Sequence, residues 1–301
     1  MKQRQQGPLT VITDEEIVRA EAEKAARGRE ALLGPRIEAE QQRVAARKAA
    51  RRDLYGAVER LVEQDAAARG AAKVLRAAAG QERVDPVASD RTSRDAPRLP
   101  GTEFFRAPAG NEETLLFASD HYSYWTYGNV YGSSFDDHAA TDYAFSIFSN
   151  DGEPDSPYGA VGFNVAVQTS EPIAFLNIKP LLRYQYKARL TSSESWLGDG
   201  SASGRSWFNM IVWQDGKAVT GYAQYPLWSN AVSGSSLSAE DDGWASDFTL
   251  GFEMTAGLPY VVEIGLWANC DSSCTLGSCG GANLDQWSRL LWVAASGTVT
   301  G

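Results

Sequence analysis

Residue types that commonly carry catalysis or bind metals are sparse in this 301-residue chain. There are two histidines, His121 and His138. His138 follows Asp136-Asp137 and precedes Asp142, so with His121 it offers the nitrogen and oxygen donors of a metal site. The surrounding YGSSFDDHAATD has loop composition and no ligand spacing on one element, which favours a solvated loop. Asp151, Glu153 and Asp155 form an acidic turn whose oxygens suit weak calcium binding, without the sixth-position Gly and distal Glu of a calcium-loop motif. No other cofactor is expected. Gly198–Ser206 fails as a phosphate loop because it carries Arg for Lys and precedes a strand-like run. Gly277-Ser-Cys279-Gly-Gly281 copies the spacing of a nucleophile elbow but lacks its strand–turn–helix setting. Cys270, Cys274 and Cys279 are too few for a four-ligand zinc site without a nearby His. They leave two readings open, one local disulfide or three thiols. Of the 22 acids after residue 100, nothing marks two as a glycosidase pair.

Tryptophan is the unusual resource. All nine lie after Pro100, as do all eleven phenylalanines. Most are expected in the core of a sheet. Trp196, Trp228, Trp244 and Trp287 sit in polar, turn-like surroundings instead. An indole beside carboxylates and amides can stack on a sugar ring or anchor a subunit interface, so these four are the candidate ligand or interface aromatics.

The elements that must position them are strands. From Thr102 onward, short alternating runs separated by turn signals predict nine or ten antiparallel strands and a jelly-roll-like β-sandwich. The runs on either side of Gly257-Leu258-Pro259, within Phe248–Ala268, read as two strands joined by a short turn and needing a larger sheet. Asp215-Gly216 is the strongest hairpin signal. Tyr184, Tyr186, Ala188 and Leu190 alternate with Arg183, Gln185, Lys187 and Arg189, a strand with one buried face and one basic, wet face.

The first hundred residues are physically different. They hold 20 basic and 16 acidic residues, a balance of +4, against 8 and 22, or −14, in the remainder. Their one aromatic is Tyr55. Thr13–Glu16 reads as a capping box that starts a helix, Gly34-Pro35 as its interruption, and residues 36–79 as a second helix. Leu54, Leu61, Ala68 and Leu75 recur every seven residues, with Val58 and Ala72 at the companion position, so the segment is partly coiled-coil. Arg43–Arg52 is strongly basic, but nearby acids and the lack of aromatics favour a solvated helix face over a nucleic-acid site. No run approaches the roughly 20 apolar residues of a membrane span. The amino end has no apolar stretch of the secretory type, so synthesis in the cytoplasm is expected.

The expected organisation is therefore a helical oligomerisation or docking segment over 1–79, a Pro-containing linker over 80–101 and a β-sandwich domain over 102–301. This layout is similar to that of fibre, spike and appendage subunits of phages and bacterial surface assemblies. The resemblance is one of architecture and implies a non-enzymatic structural subunit of a homo-oligomer, within a virion or a released assembly. Its partners would be copies of itself, other assembly subunits or a glycan. The alternative is a carbohydrate-binding module, with or without glycoside hydrolase activity.

Overall fold

The computed structural model describes residues 9–79, 114–117, 122–128, 130–136, 142–149, 158–171, 173–193, 199–219, 221–245, 248–274 and 279–299. A short strand β1 (Leu9–Val11) precedes helices α1 (Glu15–Gln64) and α2 (Ala66–Ala79). Strands follow: β2 (Thr114–Phe117), β3 (Tyr122–Gly128), β4 (Tyr131–Asp136), β5 (Asp142–Ser149), β6 (Tyr158–Thr169) and β7 (Ile173–Ser192). The rest are β8 (Ser201–Gln214), β9 (Lys217–Ala218), β10 (Ala223–Ser233), β11 (Ser236–Ala245), β12 (Leu250–Met254), β13 (Tyr260–Ser273) and β14 (Gly280–Val299). The expected linker, 80–101, lies outside the described residues, as do His121 and His138.

Two antiparallel sheets face each other. The first runs β1-β6-β13-β8-β10, with β3 also on β6 and β9 on β8; the second runs β11-β7-β14-β5-β4, with β12 on β7 and β2 on β14. The pairings are nested: β5 with β14, β6 with β13, β7 with β11 and β12, β8 with β10. A long hairpin folded across itself in this way, alternate members falling in alternate sheets, is a jelly roll. Its core is the inward period-two set of both sheets, including Phe163, Val165, Phe208, Met210, Ile264 and Leu266 from the first and Leu182, Leu190 and Leu284 from the second.

Asp215-Gly216 turns β8 into β9 with φ of 49° and 74°, the left-handed pair that a type I′ turn requires. The Phe248–Ala268 stretch behaves differently from a hairpin. β12 pairs with β7 in the second sheet and β13 with β6 and β8 in the first, so the Gly257-Leu258-Pro259 turn carries the chain from one layer to the other. Both strands bury the same kind of face because they line one core from opposite sides. β13 is buried along nearly its whole length, which a sandwich strand with a wet outer face would not be.

The cover is α1. Its side chains reach the outer face of the first sheet, against β3, β6, β8, β9 and β13. Asp14, rather than Thr13, is the N-cap: its carboxylate accepts from the Glu16 and Ile17 amides at 3.0 and 3.3 Å. The helix also continues through Gly34-Pro35. Packing on both sides of the proline outweighs its missing donor. Ala25 and Arg29 are buried before it, Val44 after it, and Leu33 and Ile37 press on the sheet's aromatic patch. A 50-residue helix is about 75 Å long.

At the helix–sheet seam, Trp125 lies across Gly162 and Gly265, where added Cβ atoms would stand 2.6 Å from its ring. Trp207 and Trp267 stack beside it, 6.4 Å apart, with Tyr158 packed edge-on to both. The Arg29 guanidinium sits 3.9 Å from the centre of the Trp125 ring. Its Nη1 donates to Glu263 Oε2 at 2.6 Å, and the Trp213 indole N–H donates to the same oxygen at 3.2 Å. Both charged residues are almost fully buried, 4% and 2% exposed. Further along the helix Lys48 meets Asp271 at 3.4 Å, and Arg51 donates to Ser273 Oγ at 2.8 Å. Part of the basic run thus contacts the chain's own sheet.

Burial pushes the Glu263 carboxyl above its ordinary range, against the opposing pull of Arg29 and of the Trp213 hydrogen bond. The folded chain therefore holds this proton more tightly than the unfolded one. The resulting stability is full below the unfolded value of about 4.3 and is lost as pH rises through the native value. Urea denaturation of the native chain and of Glu263→Gln, from about pH 4 to 8, checks this. The stability of the native chain relative to the variant is expected to fall with pH. A relative stability that grows with pH would mean that the attraction to Arg29 dominates.

Candidate functional site

The outer face of the second sheet has no helix over it among the described residues. It is built around β7, where Arg183, Gln185, Lys187 and Arg189 point away from the core while Tyr186, Ala188 and Leu190 point in. Register sets what lies beside each. On β11, Trp244 stands opposite Arg183, Asp242 opposite Gln185 and Glu240 opposite Lys187. On β14, Arg289 stands opposite Arg183, Trp287 opposite Gln185 and Asp285 opposite Lys187. One row thus reads Trp244-Arg183-Arg289, the next Asp242-Gln185-Trp287, and the third Glu240-Lys187-Asp285.

Trp244 is the most open indole here, 47% exposed, and Trp287 is half-buried. Guanidinium groups flank both rings: Arg183 lies 5.8 Å from the Trp244 centroid and Arg289 lies 5.7 Å from that of Trp287. Arg183 reaches Asp242 at 3.4 Å and Lys187 reaches Glu240 at 3.6 Å. Both are surface pairs, worth little to stability. Ser146 donates to Asp285 at 2.6 Å. Two strand spacings of about 4.8 Å and two residues of about 3.4 Å put the tryptophan Cα atoms roughly 12 Å apart. The arrangement is a shallow platform with two π-faces, fork-shaped cations, and amide and carboxylate groups between them.

The four aromatics singled out in the sequence separate into different environments. Trp244 and Trp287 share this face. Both are on strands, not in turns, and so is Trp228. Trp228 packs into the edge of the core, its ring over Gly204 and 6.2 Å from that of Tyr186. Trp196 lies outside the described residues, as do Asp151, Glu153 and Asp155. Of the heptad positions, Leu54 and Leu61 are exposed, Val58 and Ala68 half-buried and Ala72 buried; the Leu75 side chain falls outside the description. Cys270 is buried at the end of β13 with its thiol directed to the Ile147 carbonyl at 3.8 Å, and Cys274 and Cys279 are half-buried.

Sequence reasoning found β7's basic face but not its neighbours. The pairing of Arg183 with Arg289 joins residues 106 positions apart, and only the β7–β14 register reveals it. β10 and β11 carry no clean apolar alternation because they are edge strands with wet faces.

Fold and face together define a jelly-roll sandwich backed by a long helix on one side and, among the described residues, uncovered, aromatic and charged on the other. No family model matches the chain, and no curated protein matches it. A solved structure of the enzymatically active domain of tailspike protein 4 from bacteriophage CBA120 is similar at 12% identity and a TM-score of 0.19. The likeness covers 60% of this chain and 19% of that one, and nothing is carried across from it.

The two tryptophan environments make opposite demands on stability. Trp244→Ala is expected to change the unfolding free energy by about 0.5 kcal/mol or less, because little packing is lost. Trp267→Ala, buried at the helix seam, is expected to cost about 3–5 kcal/mol. Urea denaturation of the two variants checks the contrast.

Proposed function

We propose that this chain is a non-enzymatic structural subunit of a larger homo-oligomeric assembly: a fibre, spike, filament or particle, carried in a virion or released. The far part of the helical segment meets other copies, and the jelly roll forms the body or displays a binding face. One observation carries this reading. Leu54 and Leu61, seven residues apart, stand 60% and 65% exposed on a helix whose earlier half is consumed by its own sheet. Large apolar side chains at heptad spacing are what a second helix of the same kind covers. A second copy is the occupant the repeat specifies, because each helix presents the same seam to the other.

Light scattering on the full chain, eluted across a concentration series, tests the proposal. A defined oligomer is expected, and Leu54→Glu with Leu61→Glu should reduce it to monomer with an unchanged far-ultraviolet spectrum. A native chain that stays monomeric at every concentration overturns it.

A second reading, carbohydrate binding, is favoured by a separate observation: Trp244 and Trp287 lie on one open face, spaced for rings of an extended oligosaccharide. The two readings are compatible, one using the helix and the other the opposite side of the molecule.

A further inference from the structure

We infer that the outer face of the first sheet is a binding face for a neutral oligosaccharide, and that α1 is a displaceable cover over it. The site lies on the opposite side of the sandwich from Trp244 and Trp287, and the assembly reading does not depend on it.

Register lays three rows of outward side chains beneath the helix. Across β3, β6, β13 and β8 they read Tyr127-Ala160-Trp267-Trp207, Trp125-Gly162-Gly265-Asn209 and Ser123-Asn164-Glu263-Ile211. Among the described residues, eight buried side-chain nitrogen or oxygen atoms have no hydrogen-bond partner, and six of them meet here. Five belong to the sheet: Ser123 Oγ, Trp125 Nε1, Asn164 Oδ1, Asn209 Oδ1 and Trp267 Nε1. The sixth is Arg29 Nε of α1. Trp125, Asn164, Asn209 and Trp267 are each more than nine-tenths buried. A buried polar group without a partner is destabilising, and native interiors leave few of them. From the helix, Arg29 reaches Glu263 and Glu30 meets the Tyr127 hydroxyl, which leaves the five sheet atoms unserved. α1 covers this face without complementing it.

The unserved atoms define the ligand. Two indole N–H groups donate, two amide carbonyls accept, and the Ser123 hydroxyl does either. An anion satisfies only the donors and a cation only the acceptors, whereas sugar hydroxyls do both. Glu263 is the one charged residue within the rows, with Arg205 at their margin, 4.9 Å from the centre of the Trp207 ring. Once Arg29 withdraws, the Glu263 carboxylate repels acidic chains. Trp207 and Trp267, stacked 6.4 Å apart, and Trp125 supply π-faces for the C–H sides of pyranose rings. Arg29 now lies on one of them, 3.9 Å from the Trp125 ring centre, and Leu33 and Ile37 press on the same patch. The helix therefore occupies the space that sugar rings would take.

Cover and ligand compete for one surface. A site open only part of the time binds with its affinity reduced by the open fraction, so a seated α1 holds native binding down. The helix is also held outside these rows. Ala25 and Gly28 pack at Trp213, Lys48 meets Asp271, and Arg51 donates to Ser273. Arg29 and Gly28 belong to the helix, so changing them unseats the cover and leaves the face intact.

The test measures binding of cellohexaose, laminarihexaose and maltohexaose to the full-length native chain, Arg29→Glu and Gly28→Leu. Arg29→Glu sets like charges against each other at Glu263. Gly28→Leu wedges the helix off by a different route, since even an added Cβ there would stand 2.9 Å from the Trp213 ring. Hydrogen exchange reports release of α1, and protected β6, β8 and β13 amides report an intact sandwich. Both variants are expected to bind at least one hexaose roughly tenfold or more tightly than the native chain. Hexagalacturonate should show no such gain. Asn209→Ala added to either variant should remove most of the gain, and Trp244→Ala, on the other sheet, should leave it.

A released α1 without tighter binding overturns the inference. So does an equal gain for hexagalacturonate, or a gain that Trp244→Ala abolishes, which would assign the sugar to the second sheet instead. If α1 stays seated in both variants, or the sandwich melts along with it, the helix is a permanent third layer and the inference is likewise overturned.

Discussion

A single buried contact makes this molecule three layers deep. Arg29 leaves the helix, lies on the ring of Trp125 and ends on Glu263, which also accepts from Trp213. Two charges removed from water recover their solvation only if geometry and extra hydrogen bonds are good, and removing either partner leaves the other stranded. Its effect is to specify where the helix sits. An apolar helix face could slide over an aromatic floor, whereas one guanidinium directed at one carboxylate admits a narrow set of positions. The small residues Ala25 and Gly28 bring the helix down onto Trp213 and the Gly216 turn around that anchor.

That contact divides the two sheets by fate. The first is covered on both sides, and its tryptophans at 125, 207, 213 and 267 serve as packing surface. The second has no helix over its outer side among the described residues, and there Trp244 and Trp287 stand among charged groups. Tryptophan content alone would not have distinguished them. A strand packed under a helix and a strand facing solvent can both carry indoles at period two. The layer above decides which indoles remain available.

The strands legible from sequence were those marked by apolar alternation, by a dense apolar run or by a turn signal, including β6, β8 and β13, which are buried on both faces. β7 showed its alternation of Tyr, Ala and Leu with Arg, Gln and Lys, and the Asp-Gly turn announced β8 and β9. β10 and β11 stayed hidden because edge strands here are polar on much of both sides. The 248–268 stretch misled for a different reason. Two alternating runs and a Gly-Pro turn are equally consistent with a hairpin and with a crossing between sheets, since either buries the same residues. Local rules also misjudged Pro35, because a helix clamped by tertiary contacts on both sides can lose one hydrogen bond and remain continuous.

What the amino-acid order determined by itself was local: the helical character of residues 15–79, the β character of the later described segments, the inward and outward faces of β7, and the Asp-Gly turn between β8 and β9. These follow from periodicity, propensity and turn chemistry, which operate over a few residues. What only the tertiary structure decided was which faces meet. Burial of Glu263 beneath a residue 234 positions away, the layer crossing after Met254, and the meeting of Arg183 with Arg289 all depend on strand register and on the helix seating. Those are cooperative properties of the whole fold. A side chain's partner across a sheet is set by every pairing between them, and no short window of sequence contains that information.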